Sequence, residues 1–224
     1  IWDTLQLLTP GALPRQWREE RAATPPAKSF MHLHVGFDAT GLDLKALQAH
    51  YVCLRDWGRG VYAEENACLM SIPSAEDDSL APPGCGVLHA YTPATEPWER
   101  WANVKRNSEE YKALKAERAE FLWREVERVI PDIRERAKVT LIGTPLTHAR
   151  FLNKHQGTYG PALVAGEAMF PGPGTPLDGL ALCGDSCFPG IGVPAVAASG
   201  LLAAHATGFS TLGPQLEMLD RVAP

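Results

Sequence analysis

Residues 181–200, ALCGDSCFPGIGVPAVAASG, decide the fold. A short apolar run ends in Gly184-Asp185, passes through a Gly/Pro loop and enters a segment of small, helix-compatible residues. This order sets a carboxylate, then a row of backbone N–H groups, where an extended phosphate-bearing cofactor can lie. The usual companion of such an element is missing. No strand followed by a Gly-rich dinucleotide fingerprint precedes it.

Gly190-Ile191-Gly192-Val193-Pro194-Ala195 matches G-x-G-x-x-A literally. The fingerprint belongs directly after a strand, with an acidic residue about 20 positions further on. Here residues 184–189 intervene and no second strand follows, so the segment fits a returning element instead. Asp185 can accept hydrogen bonds from sugar-like hydroxyls. Gly192 lets backbone approach a ligand closely. The next helix offers N–H groups and a partial positive charge to a phosphate or an electron-rich ring. The same residues also fit a strand-loop-helix whose glycines only make a tight turn.

The 224 residues suffice for one large domain or two small ones. Hydrophobic residues make up 45% and charged residues 21%, ordinary values for a globular chain. A net charge of −5 gives no reason to expect nucleic acid or an anionic surface as partner. Five cysteines without regular spacing argue against a disulfide framework. The most apolar tract, 191–208, is built of Ala, Gly and Val and holds His205, so no transmembrane helix is expected. The chain opens with Ile1, as a processed or partial product would, and no signal peptide is evident.

Strands are expected over 29–38, 51–54, 67–73, 87–92 and 139–142. The first four follow one another without long helices between them, which implies an antiparallel sheet. A short helix is expected over 42–49. A longer helix starts at Asn107, capped in a box with Glu110, and ends or kinks at Pro131. Thr144-Pro145 opens a further helix running to about Leu152.

Several segments resemble one family, the FAD-dependent carotenoid isomerases and related phytoene-desaturase-like oxidoreductases. They are Gly184-Asp185-Ser186 with Phe188-Pro189-Gly190, the SFMHLH run at 29–34 with Gly36, Ile72-Pro73-Ser74, and LAPPG at 80–84. HAYTP at 89–93 with Glu96-Pro97-Trp98, ERVIP at 127–131, and GTPLTHARF at 143–151 with GTYG at 157–160 complete the set. The resemblance spans nearly the whole chain and covers that family's C-terminal half. It implies an α/β flavoprotein fold, α+β in this stretch. Residues 1–138 would form a mostly antiparallel substrate-domain sheet with helices. Residues 139–224 would be the returning strand-loop-helix of a Rossmann-type FAD-binding domain whose N-terminal βαβ unit is absent here.

By the same resemblance, Asp185 contacts the ribityl or pyrophosphate region of FAD, with Gly184 beside it. Gly190, Ile191, Gly192 and Val193 lie near the isoalloxazine edge. The implied activity is cis-to-trans isomerisation of a carotenoid with reduced FAD and no net redox change. The implied setting is a plastid, at the thylakoid or envelope, or a cyanobacterial membrane, with peripheral membrane association or a partner chain. A non-catalytic subunit in a photosynthetic membrane complex is the alternative. No side chain is assigned as catalytic.

Other candidates carry less. His32 and His34 share a strand face and are able to ligate a metal, but no third ligand is evident; packing is the expected role and no metal is assigned. His148 and Arg150 are placed to meet an anion or to serve helix packing. Ser186 does not sit in a G-x-S-x-G elbow. Trp57, Trp98, Trp101 and Trp123 would line an apolar tunnel or simply fill the core.

Overall fold

The computed structural model describes residues 1–208. In chain order its main elements are α1 (Arg15–Ala22), β1 (His32–Asp38), β2 (His50–Leu54), β3 (Ala67–Ser71), β4 (Cys85–Tyr91), α2 (Glu109–Glu127), α3 (Ile133–Arg136), β5 (Ala137–Gly143), α4 (Pro145–Phe151) and α5 (Val193–Ala206). They divide between two compact units, one of residues 28–158 and one of residues 1–27 with 159–208.

The first unit is built on one five-stranded sheet in the order β2-β3-β4-β1-β5. Every pairing in it is antiparallel. The period-two pattern of β1 explains its central place. Leu33, Val35 and Phe37 point to one face and are fully buried, while His32, His34 and Gly36 point to the other. The inner face packs with Leu122 and Val126 of α2, and with Ile130 and Ile133 beyond it. The expected strand at 139–142 extends to Ala137–Gly143 and forms an edge of this same sheet, against β1.

Three local details differ from expectation. Helix α2 is capped by Ser108, whose hydroxyl accepts from the Tyr111 N–H at 3.1 Å. Asn107 has a φ of 67°, and a cap residue needs extended backbone, so Asn107 cannot serve. The helix at 42–49 shrinks to a 3-10 turn at Leu44–Ala46. Strand β1 begins at His32 rather than Ser29, although Ser29 still bridges Glu96. The Thr144 cap is as expected, with Thr147 completing a capping box.

A buried ion pair fastens α2 to the segment after β4. Arg118 is 5% exposed and Glu96 1%. The guanidinium binds the carboxylate in bidentate fashion, Nε to Oε1 at 3.0 Å and Nη2 to Oε2 at 2.8 Å. Glu64 and Glu65 bind the same guanidinium at 2.6 and 2.7 Å, and the Trp101 indole N–H donates to Glu96 at 2.9 Å. These partners hold the Arg118 cation charged against a desolvation that opposes it, and its pKa rises. Removing one charge would strand the other. Glu96→Ala is expected to cost about 3–5 kcal/mol in denaturant unfolding, while Lys112→Ala, at an exposed pair, changes stability by less than about 0.5 kcal/mol.

In the second unit, the 159–162 backbone pairs with residues 25–27, through an isolated bridge between Pro26 and Pro161 and the Ala27 N–H to Gly160 carbonyl bond at 2.8 Å. The apolar run before the glycine corner makes a single bridge, Ala181 to Gly174, and no strand. A strand needs neighbours to satisfy its N–H and C=O groups, and no ladder lies beside this one among the described residues.

Candidate functional site

The corner at 184–193 is a chain of turns set by backbone conformation. Gly184, Gly190 and Gly192 have φ of 106°, 123° and 103°, in the region side chains avoid. The Gly184 N–H donates to the Ser199 hydroxyl at 3.1 Å, which ties the start of the corner to α5. The Cys187 N–H closes a turn onto the Gly184 carbonyl at 3.1 Å, and the Phe188 N–H reaches the Pro171 carbonyl at 2.8 Å.

Two of the glycines face different surroundings. A Cβ on Gly190 would meet the Phe170 ring at 3.0 Å, so this glycine is covered by the chain's own aromatic. A Cβ on Gly192 would meet nothing within 4 Å. Gly192 is the N-cap of α5, no side chain caps that end, and Pro194 occupies the first turn. Val193 stands 81% exposed just beyond it, and Ile191 is half-buried. Asp185 is half-buried at the start of the corner. The Gly160 backbone passes close to it, since a Cβ there would lie 2.9 Å from the Asp185 carbonyl oxygen. The arrangement offers an acceptor side chain, open space and a helix end with partial positive charge, in that order along the chain.

The outer face of the sheet forms a second concave surface. Register places His34 opposite His89 on one side and Leu141 on the other. Ser71 sits opposite His89 from β3. A cavity of about 590 Å³ lies over this face, lined by His34, Val87, His89, Val139, Leu141 and Pro82 among others. His89 is the partner that the sequence left unseen for His32 and His34. Burial, helped by the neighbouring imidazoles, lowers the His32 pKa to about 3 and that of His89 to about 4. His148, from α4, stands with its ring 4.9 Å from that of His32.

The four tryptophans do not converge on a tunnel. Trp101 is buried in the core, Trp98 and Trp123 pack partly buried against it, and Trp57 is 85% exposed. Arg150 lies over the Phe151 ring, with the guanidinium carbon 5.1 Å from its centroid. Among the described residues, no helix is long and apolar enough to cross a membrane.

By sequence, almost the whole chain is similar to part of one class of protein, the carotenoid isomerases. The particular relatives are prolycopene isomerases. The chain is 34% identical over 225 residues to prolycopene isomerase 2, chloroplastic, of an Oncidium hybrid cultivar, covering 96% of this chain and 38% of that protein. It is 36% identical over 209 residues to prolycopene isomerase, chloroplastic, of Arabidopsis thaliana, covering 91% and 34%. For the Daucus carota protein of the same name the identity is 35%, covering 91% and 33%. The chain thus spans 33–38% of the length of these relatives. No protein-family model matches it. Among solved structures, an oxidoreductase from Methanosarcina mazei aligns with 87% of this chain and 37% of its own at a TM-score of 0.48 and 19% identity.

The corner's conformation has a measurable consequence. Gly190→Ala would combine a positive φ with contact on Phe170, and a loss of about 1–3 kcal/mol is expected in urea unfolding. Gly172→Ala is the control. Its Cβ would meet nothing within 4 Å, and the change is expected to stay within about 0.5 kcal/mol.

Proposed function

We propose that this chain is the part of a flavin-dependent carotenoid cis-trans isomerase that closes the flavin site and contacts the polyene. The observation that carries the proposal is the open helix end at Gly192 and Val193, with Asp185 ahead of it. It occurs in a chain 34–36% identical to prolycopene isomerases. A Cβ at Gly192 would project into open space, so backbone there can approach a flat ring, and the residues present fit a flavin.

Asp185 accepts hydrogen bonds from the ribityl or ribose hydroxyls and, with Gly184, sets where the cofactor chain turns. Gly192, Ile191 and Val193 present backbone and a small apolar surface to the ring edge. Gly190, held against Phe170, fixes the turn between them. Reduced FAD, when bound, supplies electrons that a conjugated polyene can transiently accept and return, so a double bond rotates without net oxidation. The chain's own work is to orient and to exclude water. On the outer sheet face, Val87, Val139 and Leu141 offer apolar contact suited to a long hydrocarbon.

Leu201 and Val193 of α5 are exposed. Exposed apolar residues on a helix of small residues support packing by further FAD-binding structure or a partner chain on α5. The relatives' names place them in chloroplasts, and we assign this protein to a plastid membrane surface, where its apolar substrate would be dissolved. Nothing favours the non-catalytic subunit.

Two measurements test the proposal. The complete gene product, with reduced FAD and a poly-cis carotene, is expected to raise the all-trans fraction. Unchanged cis content with flavin bound would exclude the substrate. Asp185→Ala removes a hydrogen bond of the charged kind, worth about 1.5–3 kcal/mol. Flavin affinity, read by fluorescence titration, is therefore expected to fall about 10–100-fold. Full flavin retention would remove the role given to Asp185.

A further inference from the structure

Strands β1 and β4 bring three imidazoles together on the outer sheet face. The ligand nitrogens of His32, His34 and His89 all lie within 4.8 Å of one another. His32 Nδ1 and His89 Nε2 are 2.8 Å apart and share a hydrogen bond. The His34 and His89 rings stack at 4.1 Å with 3° between their planes. The remaining nitrogen of His32, Nε2, is buried and has no hydrogen-bond partner. A buried polar atom without a partner is costly, and it marks a place where a ligand would be welcome.

We propose that His32, His34 and His89 bind one divalent transition-metal cation of the zinc type. Metal–nitrogen bonds of about 2.0–2.1 Å in tetrahedral geometry separate ligand atoms by about 3.3 Å. His32 Nδ1 and His89 Nε2 stand 2.8 Å apart, and the His34 ring must turn out of its stacked plane to bring its nitrogen to the same ion. Three histidines leave a fourth position open to water or an added ligand, as in catalytic rather than structural zinc sites. No proton need leave, because each neutral ring carries one lone pair and a change of tautomer turns it toward the ion.

The donor set also defines the cation. The cluster holds nitrogen and no carboxylate. Imidazole suits zinc, copper and nickel, whereas magnesium and calcium seek oxygen. The cavity lined by His34, His89 and Ser71 gives the ion a path in. His148 packs against His32 and is held to the Gly157 backbone, so it stands as a neighbour that fixes the His32 ring rather than as a fourth ligand. The site does not depend on the flavin proposal, and a cation binds here whether or not a flavin binds at the corner.

The test uses the full chain, stripped with a chelator. Titration with Co²⁺ is expected to give one equivalent of binding with visible bands of tetrahedral cobalt, and Zn²⁺ is expected to abolish them by displacement. Mg²⁺ is expected to have no effect. His34→Ala and His89→Ala are each expected to weaken binding at least about 10-fold, the loss that even an outer partner's removal causes. His50→Ala, outside the cluster, is expected to leave binding unchanged. No stoichiometric uptake, or uptake undiminished in both cluster variants, would overturn the proposal. Should a variant fail to fold, electron paramagnetic resonance of Cu²⁺ on the unaltered chain decides. Coordination by three nitrogens is expected, and oxygen-only coordination would contradict it.

Discussion

The alternation of β1 is the constraint on which the sheet depends. A strand flanked on both sides has two faces, and each residue is committed to one of them. Leu33, Val35 and Phe37 are spent on the core beneath α2, which frees His32, His34 and Gly36 for the opposite face. A slip of one residue would bury two imidazoles and expose the core. The Glu96–Arg118 pair then locks α2 over the inner face. Chemistry is left to the outer face and to the glycine corner of the other unit.

The two regions are specified in different ways. The corner depends on backbone conformation, since three glycines at positive φ fold the chain. Its selectivity would come from Asp185 and from what Gly192 leaves open. The outer sheet face depends on side chains delivered by register, with apolar residues of β4 and β5 around a histidine cluster. One region suits a polar, extended ligand. The other is lined by apolar side chains, with a cluster of imidazoles beside them.

Much of this was legible in the chain. Period two at 29–38 and the succession of short strands give the antiparallel sheet, because alternation follows from strand geometry. The Thr144 cap is equally local. Register is not local. His89 lies opposite His34 only because β4 pairs with β1, and nothing near residue 34 announces a third imidazole. The Ser108 cap was missed because Asn107 adopts a left-handed conformation, which a favourable residue type does not reveal. Trp57 and Trp101 are the same residue type, yet one is exposed and the other is bonded to Glu96 in the core. The glycine corner was visible because glycine and proline carry their conformational meaning themselves.

The decisive measurement is a crystal structure of the complete gene product grown with FAD. The expected result is flavin density against the backbone of residues 190–193, with the Asp185 carboxylate bonded to its sugar-like hydroxyls. Flavin bound elsewhere, or the space before Gly192 filled by the protein's own side chains, would contradict the account.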